Sequence, residues 1–253
     1  RGDIFRGVEV VETSCSLAPY IMGETLENLA QGGAVDTCTF RQPLGVVSGI
    51  CPFNFPAMIP LWSLPIALVT GNTYIMKPSE KTPGAMMYMG RLLQEAGLPD
   101  GVLNIIHGAK DTVNFICDDP SIRAISFVGS NQAGEYIHDR ATTQGKRVQA
   151  NMGAKNHCTV LADADKEGSL NSIIGAAFGA AGQRCMALST VILVGESNAW
   201  LDDLAAKARA LKVGCGFDTT SDLGPVISKE SHERVHHLIA EGVEKGAELV
   251  LDG

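Results

Sequence analysis

The 253-residue sequence lacks an excess of basic side chains, a long apolar run and any close pair of cysteines. Each absence removes a class of function. With 20 basic against 28 acidic side chains, the formal charge is -8, so there is no electrostatic footprint for a nucleic-acid backbone and no nucleic-acid partner is expected. The longest apolar stretch, Leu61 to Val69, is interrupted by Ser63 and Pro65 and preceded by Pro60. It falls well short of the roughly 20 apolar residues that a spanning helix needs, so no membrane partner is expected. The cysteines are Cys15, Cys38, Cys51, Cys117, Cys158, Cys185 and Cys215, an odd set with no C-x-x-C pair. A chain of this size does not need disulfide staples, and an intracellular, reducing compartment suits it. No metal site is expected either, because the only histidine pairing is His232 with His236 or His237. That pairing falls on the polar face of an expected helix from Lys229 to Glu244 and reads as solvated surface.

What is present is the composition of a globular protein, 45% hydrophobic and 19% charged, long enough for one large domain or two smaller ones. There is no initiator Met, and Ile4, Val8, Val11, Cys15, Ala18 and Met22 recur at spacings of three and four. The chain therefore opens on an amphipathic helix and reads as a piece of a longer protein, whose targeting peptide, if it has one, lies upstream. A strand-like Glu248 to Leu251 stands before Asp252-Gly253. Residues 34–40 and 44–50 read as two extended segments around Gln42-Pro43, which suggests a hairpin or oligomerisation arm.

From there, short strands alternate with helical patterns. Strands are expected at Thr73 to Lys77, Val102 to His107, Ala124 to Val128, Arg147 to Ala150, Thr159 to Ala162 and Thr190 to Val194. Helices are expected at Gly84 to Ala96, Thr112 to Cys117, Ala133 to Thr142 and Ser197 to Leu211, with a small-residue helix running to Gly182. Such alternation predicts an α/β fold with a Rossmann-like, mostly parallel sheet, in which ligands bind beyond the carboxyl ends of the strands. The division expected is residues 1–150 as a nucleotide-binding domain and residues 151–253 as the first part of a second α/β domain.

Four motifs carry chemistry. In Cys51-Pro52-Phe53-Asn54-Phe55-Pro56 two prolines and two aromatics hold a polar amide after an apolar strand; Asn54 either donates to a developing oxyanion or merely ends the strand. Lys77-Pro78-Ser79-Glu80 places a cation and a carboxylate at a strand end, a pair that suits ribose hydroxyls. Phe127-Val128-Gly129-Ser130 leads from a strand into a helix start, a seat for a pyrophosphate, although G-x-G-x-x-G is absent. Gly182-Gln183-Arg184-Cys185 follows a helix of small residues and sets a thiol next to a cation.

In this order the four motifs resemble the aldehyde dehydrogenase superfamily over the whole chain, as roughly the middle half of a family member. The resemblance implies that Cys185 is the nucleophile and that Asn54 and the Cys185 N–H form the oxyanion hole. It also implies that Phe53, Lys77, Glu80, Gly129 and Ser130 line the site of NAD. Most members carry a glutamate that activates water, opening a Glu-Leu-Gly-Gly-Lys stretch; here the stretch is Asn151-Met152-Gly153-Ala154-Lys155, and Asn151 stands 34 positions before Cys185. An amide cannot take a proton from water at neutral pH. A thiol, which ionises more readily than water, then becomes the better acyl acceptor.

The stretch Gln149 to His157, with Gly179 to Ala187, is similar to the methylmalonate-semialdehyde dehydrogenase branch. This branch oxidises methylmalonate or malonate semialdehyde with NAD, loses the β-carboxylate and passes the acyl group to coenzyme A. The resemblance implies that Arg184, and Arg6 in Asp3-Ile4-Phe5-Arg6-Gly7, clamp the substrate carboxylate; for Arg6 a solvated helix face is the alternative. It further implies a homo-oligomer, dimer or tetramer, in the mitochondrial matrix of a eukaryote or the cytoplasm of a bacterium. A hydrolytic aldehyde dehydrogenase and a catalytically silent homologue stand as rivals. The Glu-x-Phe-Gly-Pro stretch that family members use at the nicotinamide ribose is not found, only Leu223-Gly224-Pro225.

Overall fold

Short strands with apolar residues on both faces can be buried only between two helix layers, and in the computed structural model, which describes residues 2–252, they are. The chain divides into two units, residues 1–152 and 153–253. In the first, the elements run α1 (Gly2–Cys15), β1 (Thr25–Leu26), β2 (Thr37–Cys38), β3 (Val46–Ile50), α2 (Met58–Val69), β4 (Thr73–Lys77) and α3 (Gly84–Glu95). They continue with β5 (Leu103–Ile105), α4 (Lys110–Asp118), β6 (Ile122–Val128), α5 (Asn131–Thr142) and β7 (Arg147–Asn151). Strands β3 to β7 form one sheet in the order β5-β4-β3-β6-β7, parallel at every pairing. The chain builds outward from β3 through β4 to β5, then returns to β6 on the other side. The turns after β3 and β6 therefore leave the sheet at its topological switch point, where α/β sheets bind ligands.

The expected hairpin near residues 34–50 is not formed. Thr37–Cys38 pairs antiparallel with Thr25–Leu26, and Val46–Ile50 is the central strand of the sheet. The cause lies in burial. Val47 through Ile50 are all buried, which only an interior strand achieves, whereas residues 34–40 are almost all exposed. The ribbon is held by local bonds such as Glu24 N–H to Thr39 Oγ1 at 2.8 Å and Asn28 N–H to Asp36 Oδ1 at 3.0 Å.

A hydrophobic core lies on each face of the sheet. One gathers Val47, Cys51, Ile59, Leu64, Tyr74, Met76 and Met86 under α2 and α3; the other gathers Ile50, Ile116, Ile122, Ile125, Phe127 and Ile137 under α4 and α5. Each such side chain contributes about 1.5–3 kcal/mol on burial. That gain explains why the apolar run ending at Val69 folds as α2 despite the internal Pro65. The start of α2 is also capped from elsewhere: Asp3 of α1 accepts from the N–H groups of Ala57 (3.1 Å) and Met58 (2.8 Å), an anion at a helix N-terminus. Gly49 is required by close approach, since a Cβ there would meet the Tyr74 hydroxyl at 2.1 Å.

The second unit comprises β8 (Asn156–Val160), α6 (Lys166–Phe178), β9 (Leu188–Leu193), α7 (Leu201–Arg209) and α8 (Lys229–Glu244). Strands β8 and β9 pair in parallel. Asp165 caps α6 by accepting from Gly168 N–H at 2.7 Å, and Ser228 caps α8 through Ser231 N–H at 3.2 Å. The strand expected at Glu248 to Leu251 is not formed; those residues carry no regular structure. Among the described residues no helix is long and apolar enough to cross a membrane.

Candidate active site

In the first unit, the carboxyl edge of the sheet carries seven of the residues singled out from sequence: Phe53, Asn54, Lys77, Glu80, Gly129, Ser130 and Asn151. Strand β3 runs into Cys51-Pro52-Phe53-Asn54, and Cys51 N–H donates to Lys77 O at 3.0 Å, tying this turn to the end of β4. Thr82 Oγ1 donates to Phe53 O at 3.3 Å. Lys77 is only 5% exposed, and its Nζ reaches Glu80 Oε2 at 3.3 Å. The Glu80 carboxyl is held below the usual carboxylate range, first by its own backbone N–H and then by the charge of Lys77, so it is ionised at neutral pH.

One strand over, β6 runs into Gly129-Ser130. Gly129 N–H donates to Asn151 O at 3.1 Å, and a Cβ at Gly129 would meet the Phe127 ring at 2.4 Å. Ser130 is the N-cap of α5, its hydroxyl accepting from Ala133 N–H at 3.3 Å. Asn151 closes β7 as an exposed residue and borders a cavity of about 510 Å³ over the α2 face of the sheet, together with Trp62 and Gln149.

In the second unit, α6 gives way to a tight turn, Gly179–Gly182, in which Ala180 (φ 54°) and Ala181 (φ 53°) are left-handed. Each such alanine stores about 1 kcal/mol or more of strain, which the following residues must offset. Arg184 Nη2 donates to Gly175 O (2.6 Å) and Ala176 O (3.1 Å), carbonyls of the last turn of α6, of which Gly175 O also accepts from Gly179 N–H. A Cβ at Gly179 would lie 2.3 Å from that same Nη2, so glycine is needed for the guanidinium to lie flat. Gln183 Oε1 accepts from Ile227 N–H at 2.9 Å. Cys185 is half-buried at the end of this turn, and its carbonyl accepts from Asn156 Nδ2 at 2.9 Å.

The aldehyde dehydrogenase family model matches residues 1–253. The chain belongs to the aldehyde dehydrogenase family. It is 61% identical over all 253 of its residues to the mitochondrial, acylating methylmalonate-semialdehyde dehydrogenase of Arabidopsis thaliana, covering 41% of that protein. It is 59% identical over the same span to the mouse methylmalonate-semialdehyde/malonate-semialdehyde dehydrogenase, covering 47% of it. The chain thus spans about half the length of the curated relatives it matches. Among solved structures, a candidate methylmalonate-semialdehyde dehydrogenase from Sinorhizobium meliloti complexed with NAD superposes with a TM-score of 0.95 at 43% identity, over 100% of this chain and 51% of that one. The methylmalonate-semialdehyde dehydrogenase of Oceanimonas doudoroffii superposes with a TM-score of 0.93 at 45% identity, over 100% of this chain and 52% of that one. The expected α/β fold with a parallel sheet is therefore the fold of the family.

The family resemblance does not by itself place every side chain. Arg6 lies on an exposed face of α1, with Nη1 at 2.9 Å from Glu9 Oε2. Arg184 turns its guanidinium toward α6, with its buried Nε making no hydrogen bond. Sequence reasoning overlooked Asp3 as the cap of α2, a contact between residues more than fifty apart, and overlooked Gln183 and Asn156 as holders of the Cys185 turn. For Asn156 a signal existed, because a small amide opens an apolar strand directly after Lys155.

Proposed function

We propose that the protein is an NAD-dependent, coenzyme A-acylating dehydrogenase that oxidises and decarboxylates methylmalonate or malonate semialdehyde to propanoyl-CoA or acetyl-CoA. The observation that carries this reading is Asn151, an amide where hydrolytic members of the family hold a general base. The acylating names of the relatives support it. On this reading, residues 1–150 form the NAD-binding domain and residues 151–253 the N-terminal part of the catalytic domain.

The carboxyl edge of the sheet fits a dinucleotide. A buried ammonium beside an ionised carboxylate suits ribose hydroxyls, and the α5 N-terminus suits a pyrophosphate. Phe53 completes this edge. Glu80, ionised beside the ribose, would repel the extra phosphate of NADP, which favours NAD. The neighbour complexed with NAD supports the same choice.

In the chemistry proposed, the Cys185 sulfur adds to the aldehyde carbon, and the oxyanion is held by the Cys185 N–H and the Asn54 amide. NAD, when bound, supplies the hydride acceptor. The thioester left on Cys185 withdraws electrons from the adjacent carbon, so its carboxylate departs as carbon dioxide and a proton replaces it. Without a carboxylate at position 151, water is not activated, and the thiol of coenzyme A displaces Cys185 to release the acyl-CoA. Arg184 and Arg6 are assigned to the substrate carboxylate. By the same likeness the intact protein is a homo-oligomer, dimer or tetramer. It would work in the mitochondrial matrix in a eukaryote, as the relatives' names suggest, or in the cytoplasm in a bacterium.

The test uses the intact protein without coenzyme A. A burst of about one NADH per active site should precede a slow steady state, and added coenzyme A should raise the steady rate and turn the product from acid to acyl-CoA. Asn151→Glu should raise turnover without coenzyme A, with burst amplitude monitored because a new carboxylate can repel the thiolate. Full-speed release of free acid by the unaltered protein without any thiol would overturn the acylating assignment in favour of hydrolysis.

A further inference from the structure

We infer that Asn156 is a positioning residue for the Cys185 nucleophile, an inference that rests on the role of Cys185 given above. Its Nδ2 donates to two carbonyls at once, Cys185 O and Ala187 O, each at 2.9 Å. These carbonyls flank Met186, which is 82% exposed. Inside the turn, Ala187 N–H donates to Arg184 O at 3.0 Å.

The consequence follows from peptide planarity. The Arg184 carbonyl and the Cys185 N–H belong to one trans peptide and point in opposite directions. Tying the carbonyl into the turn therefore directs the Cys185 N–H, the proposed oxyanion donor, away from it. The Asn156 amide fixes the next peptide plane through the Cys185 carbonyl. With the planes on both sides of the Cys185 Cα fixed, so is the direction of its Cα–Cβ bond, which leaves the sulfur only its staggered χ1 positions about that bond. The strand pairing explains why a side chain does this work: the register of β8 against β9 shifts between Asn156 and His157, from Asn156↔Leu188 to His157↔Thr190. The backbone ladder is interrupted at the very residue whose amide replaces it. The amide NH2 carries two N–H donors and so serves two carbonyls from one atom; a carboxylate of the same shape would face both of them as an acceptor.

The test compares Asn156→Asp and Asn156→Ser with the unaltered intact protein. The rate constant of the NADH burst is measured together with the NAD dissociation constant, the melting temperature and the pH profile of the burst. Asn156→Asp should slow the burst about tenfold or more, the equivalent of about 1.4 kcal/mol, with NAD affinity unchanged. Asn156→Ser, which keeps one donor, should fall between the two. A purely structural role would lower the melting temperature while leaving the burst rate of the folded fraction intact. That result, or wild-type burst rates in both variants, overturns the inference and leaves the proposed function standing. If Asn156→Asp does not fold, Asn156→Ser decides alone, and a wild-type burst rate and pH profile in it would overturn the inference. Absence of a burst from the unaltered protein would overturn the role of Cys185 itself, and the positioning role with it.

Discussion

Cys51 and Cys185 each follow a regular element and each has a cation close by, yet their surroundings differ. Cys51 leaves the central strand of the five-stranded sheet; it is 6% exposed, and its sulfur lies 3.6 Å from Met76 Sδ. Burial pushes its thiol up to about 12, and the Lys77 charge only partly opposes this. Cys185 instead sits half-buried on a turn whose backbone is held by side chains, Asn156 from β8 and Arg184 from its own strand of chain. The cation next to Cys185 in sequence sends its guanidinium to α6. A basic neighbour does not separate the two sulfurs; how the backbone around each is held, and how much of each is buried, do.

The sharpest way to break this comparison is to delete each sulfur in turn. Cys185→Ala in the intact protein should lower the aldehyde-dependent burst by roughly four powers of ten or more, the scale of losing a catalytic nucleophile, while Cys51→Ala should keep it. A surviving burst in Cys185→Ala would assign the chemistry to another residue. Labelling alone cannot make this distinction, because Cys15, Cys38 and Cys215 are exposed and open to alkylating agents.

A second measurement tests the burial of Cys51 through pH. The folded protein keeps this proton up to about pH 12, whereas an unfolded chain releases it around the ordinary value of 9.0. Between these values the unfolded state holds fewer protons, so stability falls as pH rises through this window and is unaffected by this group below it. The full span is about 4 kcal/mol at 1.36 kcal/mol per unit. Tyr74, also raised by burial, adds to the loss in the same direction, so the informative quantity is the difference between the unaltered protein and Cys51→Ala. Urea unfolding at pH 8, 9 and 10 should show that difference shrinking as pH rises above 9. A constant difference would mean that Cys51 is less buried than the sheet makes it.

The alternation of strands and helices was legible because it is a local pattern: β4 ends at Lys77 and α8 runs from Lys229 to Glu244 as expected. What was not legible depends on distant partners. Residues 44–50 resemble a hairpin arm until β4 and β6 flank them, and the run ending at Val69 becomes a helix through Asp3 and the core beneath it. The candidate site behaves in the same way. Motif residues carry their identity in the sequence, but that Arg184 turns to α6 and that Asn156 holds Cys185 follow from contacts between 8 and 31 positions apart.

The smallest expected effects come from the two arginines assigned to the substrate carboxylate, and they sharpen the contrast between a tethered and an exposed side chain. Arg184→Leu removes the donor to Gly175 and Ala176 as well as any hold on substrate. If the guanidinium swings from α6 to the carboxylate when substrate binds, kcat/KM for malonate semialdehyde should fall by about one to two powers of ten, the effect of losing a charged hydrogen-bond partner. Propanal, which has no carboxylate, should be affected far less. An equal loss for both aldehydes would leave Arg184 the single task of anchoring the Cys185 turn to α6. Arg6 makes an exposed ion pair with Glu9, three residues on, and its guanidinium lies 5.9 Å from the centre of the exposed Phe5 ring; exposed contacts of these kinds contribute a few tenths to about 1 kcal/mol. Arg6→Leu should therefore leave the melting temperature nearly unchanged, so that any shift in the ratio of the two aldehydes reports substrate contact and nothing else. That shift should be smaller than the one from Arg184→Leu, because a side chain with no second anchor retains more freedom to lose on binding. An unchanged ratio would return Arg6 to the solvated face of α1 and leave Arg184 as the sole reader of the carboxylate.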